Sequence, residues 1–328
     1  MQNEYLKFVS RGLGAVLAFA LVTGGAVAQS YPGKPIRLVV PFPPAGGTDL
    51  IARAVSDNLS QVPGFSVVVE NRPGAGGNIG VDLAAKSAPD GYTIVLGQTS
   101  NVAINPTLYS KLPYDPVKDL APIIHVASAP LVFVVPANSP FKTLGDIVAF
   151  AKAKPGELNF GSSGSGTVTH LTGELLQKAA GVKFQHIPYK GANQAINDVI
   201  GEQIELYGGS VPTLLGHIKG GKVRAIVVSS AQRVKDLPQV PTIIESGYQG
   251  LETTTWFGLL APAGTPQPVI AKLNGEVNRI LQQPEARQKI ESQGAIAVGG
   301  TPEQFGTFIK QEIARWGPVV KESGARVE

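Results

Sequence analysis

The chain contains no cysteine among its 328 residues. This absence excludes disulfide bonds, thiolate catalysis, cysteine-ligated zinc and a lipoprotein anchor. Charge is also sparse, since charged residues make up 16% of the sequence and the formal net charge is +4. Because this charge is weak and scattered, it does not indicate a nucleic-acid partner, although a mild positive potential suits an anionic ligand.

Long hydrophobic runs are missing as well. The apolar stretch Gly14–Leu21 is shorter than the ~20 residues that span a bilayer, and glycine, proline or charge interrupts every later apolar run. Lys7 and Arg11 precede this stretch and Ala26–Ala28 follows it, which is the pattern of an export signal cleaved near residue 28. We therefore expect a mature protein that begins near Gln29, is soluble outside the inner membrane and does not itself span a membrane.

Recognised catalytic and metal-binding patterns are absent too. The four histidines are dispersed, no H-E-x-x-H or Walker A motif occurs, and the acidic residues show no metal or acid–base spacing. A G-x-G-x-x-G frame starting at Gly74 fails at Ile79, and a G-x-S-x-G frame fails at Ser165. We therefore expect no catalytic residues, no cofactor and no bound metal.

What the sequence does contain is an alternation of short apolar strands with helical patterns, which is typical of an α/β fold with largely parallel sheets. Helical periodicity is clear where Ile51, Val55 and Leu59 recur every four positions. The predicted strands are Ile36–Val40, Ser66–Glu70, Thr93–Leu96, Ile123–Ala127, Leu158–Gly161, Lys183–Ile187, Ile204–Tyr207 and Val223–Val228. The predicted helices are Thr48–Leu59, Val168–Ala179, Ala192–Ile200, Val211–Ile218, Pro268–Leu281, Glu285–Ser292 and Glu303–Val320.

Two further apolar segments, Ala129–Val135 and Thr255–Ala261, bracket the middle of the chain. We interpret both as strands that cross between two lobes. About 300 mature residues suffice for two lobes of ~100–200 residues each. The expected organisation is a discontinuous first lobe, residues 29–132 plus 254–328, with a second lobe, residues 133–253, inserted into it.

The loop 41–49 joins the first predicted strand to the first predicted helix. Such a join directs backbone N–H groups and the positive end of a helix dipole at one point, which favours an anion. No lysine or arginine lies in the loop, so an anion would be held by the main chain; the alternative is an ordinary βα turn. Asp49 is interpreted as structural, since it complements the helix dipole. The prolines have no N–H, so the candidate donors are Phe42, Ala45, Gly46, Gly47 and Thr48.

The segment 159–167 repeats this strand, loop and helix arrangement, with hydroxyls as additional donors. The alternative is a flexible Gly/Ser turn. His170, early in the following helix, could reach a ligand or be an ordinary packed or surface histidine. Two such loops in separate lobes indicate two anion-binding surfaces that face each other. The candidates here are Ser162, Ser163, Gly164, Ser165, Gly166 and Thr167.

Polar and aromatic residues near these loops complete the candidate site. Gln98, Thr99 and Ser100 follow a predicted strand and offer amide and hydroxyl groups. Aromatic side chains could form a pocket wall or pack in the core, and we prefer core packing for Phe257. The aromatic candidates for the wall are Phe42, Tyr189, Tyr207 and Trp256.

Several segments also occur in a characteristic order along the chain. After the export signal come Tyr31-Pro32, KPIRLVVPF, PPAGGTD, VENRPGAGGNIG (69–80), PDGYT (89–93), FGSSGSGT (160–167), PYKG (188–191) and WFG (256–258). Each is a weak signal, but their order and spacing together are specific. From about Tyr31 to the C-terminus the chain resembles the Bug-type, TctC-like receptors of tripartite tricarboxylate transporters.

The resemblance implies a two-lobed periplasmic binding protein with a type II-like clamshell, each lobe a mixed, mostly parallel sheet flanked by helices. It implies a small organic carboxylate (mono-, di- or tricarboxylate, aromatic acids included) held by the loops 41–49 and 160–167. It also implies two integral membrane partners, a large TctA-like and a small TctB-like subunit. We expect this chain itself to be a monomer.

Two other functions compete with uptake. One is a receptor that presents the bound acid to a membrane sensor kinase, which needs the same clamshell. The other is an exported hydrolase using a serine from 162–165, which lacks a histidine–acid partner at a recognisable spacing.

One position departs from the family pattern. Family members often carry an acidic residue shortly after the strand matching Ile204–Tyr207, whereas this chain has Gly208-Gly209-Ser210. We place the corresponding position at Gly209 and include it among the ligand-binding candidates. Without that acid, we expect plain carboxylates to be preferred over amino acids.

Overall fold

The computed structural model describes residues 31–325 and residue 327. The export signal predicted at residues 1–28 lies outside these residues. The chain divides into a short unit, Met1–Gly33, and a compact unit, Lys34–Glu328, which carries every element named below. Within the described part, the search for a helix of sufficient length and apolarity to cross a membrane finds none.

Strands and helices alternate along the compact unit, as the sequence predicts. The strands are β1 (Ile36–Val40), β2 (Val67–Asn71), β3 (Thr93–Gln98), β4 (Leu120–Pro136), β5 (Asn159–Ser162), β6 (Gln185–Pro188), β7 (Leu206–Ser210), β8 (Val223–Val228), β9 (Thr254–Pro262) and β10 (Ile296–Ala297). The helices are α1 (Gly47–Leu59), α2 (Asn78–Ala85), α3 (Asn105–Leu108), α4 (Leu144–Ala153), α5 (Val168–Ala180), α6 (Ala192–Ile200), α7 (Val211–Lys219), α8 (Gln267–Gln282), α9 (Pro284–Glu291) and α10 (Pro302–Ser323). A 3₁₀ turn at Ala75–Gly77 and a π-helical segment at Thr99–Ile104 precede α2 and α3.

The predicted elements are found in the structure with small shifts of their ends. The predicted strand Ile123–Ala127 and the crossing segment Ala129–Val135 form one continuous strand, β4, of 17 residues. Helices α2, α3 and α4 and the two-residue strand β10 were not predicted. Helix α4 carried a readable signal, because Thr143 and Asp146 form a reciprocal capping box at its start.

The strands form two sheets that share β4. In the first sheet, β1 pairs in parallel with β2 and β3, and β9 pairs antiparallel with β3 and β4. In the second sheet, β5 pairs in parallel with β6 and β7, while β7 and β8 pair antiparallel with β4. Residues 120–130 of β4 pair with β9, and residues 131–136 pair with β7 and β8. Strand β4 is therefore the first crossing between the two lobes.

The return crossing lies where β9 begins. The N–H of Thr253 donates to the carbonyl of Ser229 at 3.0 Å, and the next residue, Thr254, already pairs with Pro130 in the first sheet. The buried Ser229 hydroxyl joins the two crossings, accepting from Leu131 N–H at 2.9 Å and donating to the Thr253 carbonyl. This change of partners supports the predicted lobes, residues 29–132 plus 254–328 and residues 133–253, which stay a prediction in their detailed bounds.

The second sheet is covered by helices on both faces. Alternate residues of β4 enter opposite cores: Phe133 packs with residues of α4 and α5, whereas Val132 packs with residues of α6 and α7. Successive side chains of a strand point to opposite faces. Burial on both faces explains why this segment is a continuous apolar run in the sequence rather than an alternating one.

Candidate functional site

A cavity of about 60 Å³ lies between the two lobes. Among the described residues, those lining it include no lysine, arginine, histidine, aspartate or glutamate. The first lobe contributes Phe42, Pro43, Pro44, Gly46, Gly47, Thr48, Gln98, Ser100, Thr255 and Phe257. The second lobe contributes Ser163, Thr167, Val168, Thr169, Gly191, Ala192, Asn193, Ser210 and Thr213.

Helices α1, α5, α6 and α7 all begin at this cavity, because each contributes its cap or first-turn residues to the lining. The first N–H groups of a helix have no intrahelical partner, and the helix dipole places roughly half a positive charge there. The convergence therefore creates a positive electrostatic potential without a cationic side chain. Such a site favours an anion.

The first anion loop, residues 41–49, is held from behind by a buried carboxylate. Asp49 accepts hydrogen bonds from Ala45 N–H at 2.9 Å, Asn71 Nδ2 at 2.9 Å and Arg53 Nε at 2.8 Å. Burial raises the pKa of Asp49, but the hydrogen bonds from Arg53, Asn71 and Ala45 outweigh it and hold the pKa below its ordinary value. This geometry supports the structural role assigned to Asp49, and it uses the Ala45 N–H within the loop.

The two lobes contact each other directly across the cavity. Gly47 N–H donates to Thr213 Oγ1 at 2.9 Å, and Val168 N–H donates to Ser100 Oγ at 3.2 Å. Asn193 Nδ2 donates to the Pro44 carbonyl at 3.2 Å. The N-termini of α1 and α5 are thus each capped by a hydroxyl from the opposite lobe. The remaining predicted donors of the first loop are Phe42, Gly46 and Thr48.

The second anion loop, residues 160–167, is held by neutral hydroxyl groups. Ser163 contacts Tyr207 OH through its Oγ at 3.0 Å and donates from its N–H to Thr169 Oγ1 at 3.1 Å. Thr167 Oγ1 donates to the Gly164 carbonyl at 2.7 Å. Burial raises the pKa of Tyr207 to about 12, although the Ser163 hydrogen bond opposes it. Tyr207 therefore remains a neutral hydroxyl that positions Ser163.

A histidine pair lies behind this loop. His186 Nε2 is 2.7 Å from Ser162 Oγ, and His170 Nδ1 accepts from Gly166 N–H at 3.0 Å. The two imidazole rings stack with centroids 3.8 Å apart, and His170 Nε2 is 3.5 Å from Glu174 Oε1. Burial, and repulsion from His170 when that ring is charged, lower the pKa of His186 to about 4. His170 thus supports the loop from outside the cavity lining.

The contact between Ser162 and His186 bears on the hydrolase hypothesis. Spacing along the sequence did not indicate a histidine partner for a serine, yet the parallel pairing of β5 with β6 brings these two together. Ser162 is completely buried and lies outside the cavity lining. Its hydroxyl is therefore not presented to a bound molecule as a nucleophile would be.

The structure brings part of the predicted site together at the cavity. The predicted residues that line it are Phe42, Gly46, Gly47, Thr48, Gln98, Ser100, Ser163 and Thr167. The predicted residues that lie outside the lining are Ala45, Thr99, Ser162, Gly164, Ser165, Gly166, His170, Tyr207, Gly209 and Trp256.

Two adjacent aromatic residues, Trp256 and Phe257, are both buried, but only Phe257 also lines the cavity. Trp256 is fully buried in the core, where its indole N–H donates to Glu312 Oε2 at 3.1 Å. Phe257, for which core packing was preferred, lines the cavity. Neighbouring side chains on a strand point to opposite faces, so only one of the two can face a ligand.

The position after β7 that faces the cavity is Ser210 rather than Gly209. A Cβ built on Gly209 would lie 2.8 Å from the Tyr207 ring and 2.9 Å from Leu214 Cδ1, so a side chain there would enter the core. Ser210 lines the cavity, and its Oγ is 2.8 Å from Thr213 Oγ1. Adjacent residues of a strand point to opposite faces, so Gly209 and Ser210 cannot both face the cavity.

Cavity residues at the starts of α6 and α7 were missed, Asn193 and Thr213 among them. The order of strands and helices could have indicated these residues. Strands β5, β6 and β7 are mutually parallel, and each is followed by a helix. In such a sheet the helices begin at the edge where the carboxyl ends of the strands meet, which is the ligand-binding edge.

Comparisons with known proteins agree with this geometry. Residues 51–325 match the protein-family model described as the tripartite tricarboxylate transporter family receptor, TctC. The chain is 39% identical to the protein BugT of Bordetella pertussis, over 96% of this chain and 97% of BugT.

Solved structures show the same fold. The periplasmic binding protein BugD is 34% identical and superimposes with a TM-score of 0.86 over 91% of this chain and 100% of BugD. Rpa4515 of Rhodopseudomonas palustris, solved with adipate, is 34% identical with a TM-score of 0.88 over 90% of this chain and 99% of that one. MatC from the same organism, with bound malate, is 30% identical with a TM-score of 0.83 over 88% of this chain and 100% of MatC.

The two-lobed α/β fold, the facing anion loops and these likenesses agree with one another. The chain belongs to the TctC receptor family of tripartite tricarboxylate transporters, the Bug-type periplasmic solute-binding proteins.

Proposed function

We propose that this protein captures a short organic carboxylate between its lobes and delivers it to the large and small membrane subunits of a tripartite tricarboxylate-type transporter. The observation that carries this proposal is the convergence of α1, α5, α6 and α7 on one cavity whose described lining holds no charged side chain. A carboxylate is stabilised by these N–H groups and dipoles. An ammonium group would be desolvated there without a carboxylate partner.

The relatives support the carboxylate class. Rpa4515 was solved with adipate and MatC with malate, and both molecules are dicarboxylates. A dicarboxylate also suits two donor groups on opposite sides of one cavity. In this chain, Gly46 and Thr48 offer main-chain N–H groups on the first lobe, while Asn193 and Ser210 offer side-chain groups on the second.

The size of the cavity favours a short acid. Its volume of about 60 Å³ corresponds to about four to six water positions at ~10–15 Å³ each. Phe42 and Phe257 provide apolar walls for the carbon chain. We therefore expect short mono- and dicarboxylates to fit the contacting lobes, whereas a tricarboxylate would need them further apart.

Closure around the ligand strengthens each polar contact, because a hydrogen bond is electrostatically stronger where water is excluded. Thr213 and Ser100 accept from the N–H groups of Gly47 and Val168 across the cavity. A carboxylate oxygen is a stronger acceptor than a hydroxyl. A ligand that reaches either N–H should therefore displace the hydroxyl that occupies it.

A thermal-shift screen of refolded protein against organic acids tests the ligand class. A ligand at ~100 times its Kd should stabilise the fold by about 2.7 kcal/mol. We expect succinate- and malate-sized acids to raise the Tm and aspartate and glutamate to leave it unchanged. Tightest binding of an amino acid in calorimetry would contradict the proposal. Mass spectrometry of acids released from freshly purified, denatured protein would identify the natural ligand.

Delivery to a transporter is tested separately from binding. Deletion of the genes for the two membrane subunits should abolish uptake of the bound acid by cells while leaving binding to the purified protein intact. If uptake persists in that strain, and deletion of the gene for this protein instead abolishes the response of a neighbouring sensor kinase, the sensing alternative is correct.

A further inference from the structure

The stacked pair of His170 and His186 has no role in a grip built from main-chain N–H groups and hydroxyls. Its rings are 3.8 Å apart and inclined by 9°, and His170 is only 7% exposed. Each ring contacts one end of the second anion loop, His186 at Ser162 and His170 at Gly166. The only side chains in the part of the loop between these residues are those of Ser163 and Ser165. The pair therefore holds both ends of the ligand-binding turn.

The hydrogen bond from Gly166 determines the tautomer of His170. Because the Gly166 N–H donates to Nδ1 at 3.0 Å, this nitrogen carries no proton. The proton of the neutral ring is therefore on Nε2, which faces Glu174 Oε1 at 3.5 Å. A second proton can bind only at Nδ1. That proton would confront the Gly166 N–H, donor against donor, and break the hydrogen bond.

Because Glu174 lies beside His170, loss of the hydrogen bond from Gly166 is the main local consequence of protonation. Burial raises the pKa of Glu174, but the hydrogen bond and charge of His170 outweigh it and hold the pKa below its ordinary value. A protonated His170 therefore faces an ionised carboxylate, which offsets the new positive charge within the pair.

The other charged groups near the histidine pair either have partners of their own or line a surface cleft. Lys178 pairs with Glu322 at 2.7 Å, and Lys183 lines the same surface cleft as Glu174. On the side of β6, Asp198 accepts from Tyr189 OH at 2.7 Å. Since none of these contacts replaces the acceptor that Gly166 would lose, proton uptake weakens the loop.

Gly166 also transmits the change to the opposite lobe. Its φ is +71°, and a Cβ built on it would collide with Leu108 of the first lobe. The Gly166 backbone is thus packed closely between His170 and the opposite lobe. A displacement of this residue alters the lobe contact as well as the loop.

We propose that His170 is a proton switch: a proton taken up at His170 Nδ1 releases Gly166 N–H, loosens the second anion loop and favours release of the ligand in acid. The effect on ligand release rests on the proposed carboxylate-binding function, whereas the switch itself does not. Stacked imidazoles carry one proton more readily than two, since the second meets the charge of the first.

NMR of the protein without added acid tests the switch independently of any ligand. We expect the Gly166 amide resonance and the His170 ring resonances to change together, with one common midpoint, in a series of spectra recorded from about pH 8 down to about pH 5. In His170→Asn, whose carbonyl can still accept from Gly166 N–H, the amide resonance should stay constant. A Gly166 resonance that stays constant while the His170 ring resonances of the wild type change would overturn the proposal, whether or not the variant folds.

Calorimetry with malate and adipate tests the consequence for binding. Over the same pH range, wild-type affinity should fall about three- to tenfold more than that of His170→Asn, the effect of one hydrogen bond. His186→Gln, which keeps a partner for Ser162, should retain the pH dependence. Equal pH dependence in wild type and His170→Asn would refute the coupling. Absence of binding at every pH would refute the carboxylate function, while the NMR result would still decide the switch.

Discussion

The two anion loops share a backbone arrangement but differ in what holds them. Behind the first loop, the buried carboxylate of Asp49 joins Ala45, Asn71 and Arg53. Behind the second loop, the contacts are made by the Tyr207 hydroxyl, which lies beside Ser163, and by two imidazole rings. The carboxylate, with its lowered pKa, keeps its charge and its contacts until strong acid, whereas the contacts of the second loop are made by neutral hydroxyls and by imidazole nitrogens. Under the proton switch proposed above, the first loop is constant with pH and the second responds to protons.

The largest expected effect comes from removing the charge behind the first loop. Asp49→Ala deprives Ala45 N–H, Asn71 and Arg53 of their common acceptor. Because hydrogen bonds to charged groups contribute more than neutral ones, we expect the free energy of unfolding to fall by about 2–3 kcal/mol in urea denaturation. Asp49→Asn keeps the shape without the charge and should lose less. Equal urea midpoints for Asp49→Ala and wild type would show that the first loop does not depend on this carboxylate.

Acid should weaken both lobes through one histidine in each whose pKa is lowered by its surroundings. Burial lowers the pKa of His125 in β4 to about 4, and burial with the charge of His170 lowers that of His186 to about 4. The unfolded chain takes up these protons near the ordinary value of 6.5 and the folded chain does not. Stability is therefore complete above that value and declines as the pH falls toward 4.

For His125 the expected loss is about 2 kcal/mol between pH 6.5 and about pH 5. Urea denaturation at a series of pH values measures it. His125→Gln cannot take up a proton and should remove this part of the decline, leaving the part due to the second lobe. A stability profile with the same slope in His125→Gln and wild type would contradict the assignment.

Contact between the lobes should depend on one glycine of the first loop. In Gly47→Ala the new Cβ would lie 2.6 Å from Ser210 Oγ and 2.8 Å from Thr213 Oγ1, both on the second lobe. We expect about tenfold weaker carboxylate binding, equivalent to about 1.4 kcal/mol, with little change in the stability of either lobe. Small-angle scattering should show a more open molecule.

Gly46→Ala is the matched control for that variant. Its Cβ would meet only the Pro43 carbonyl, at an ordinary 3.6 Å, and its φ of −82° suits any residue. It should bind like the wild type. Equal losses in both variants would mean that the loop backbone, rather than the lobe contact, is disturbed.

The fold was predictable because its signals are local. Apolar runs and helix starts placed β1, β8 and α6 at their observed bounds. Helix α2 was missed because its start, GAGGNIG, has the composition of a loop, and its glycines instead form a 3₁₀ turn with positive φ at Gly76 and Gly77.

The site was only half predictable, for a physical reason. The two anion loops have a recognisable composition, but a contact such as Gly47 with Thr213 joins residues 166 positions apart. Ser162 meets His186 only through the register of two parallel strands. Which strand residue points into the cavity changes with a shift of one position along the chain. Composition alone therefore did not indicate that Ser210, rather than Gly209, faces the cavity.

The smallest expected effect isolates a neutral contact behind the second loop. Tyr207→Phe removes the hydroxyl that lies 3.0 Å from Ser163 Oγ but keeps the buried ring. A neutral hydrogen bond contributes about 0.5–1.5 kcal/mol, so carboxylate affinity should fall about two- to tenfold in calorimetry. Tyr189→Phe is the control, because its hydroxyl donates to Asp198 instead of the loop. If both variants lose affinity equally, the loss does not come from the contact between Tyr207 and Ser163, and that contact does not position the second loop.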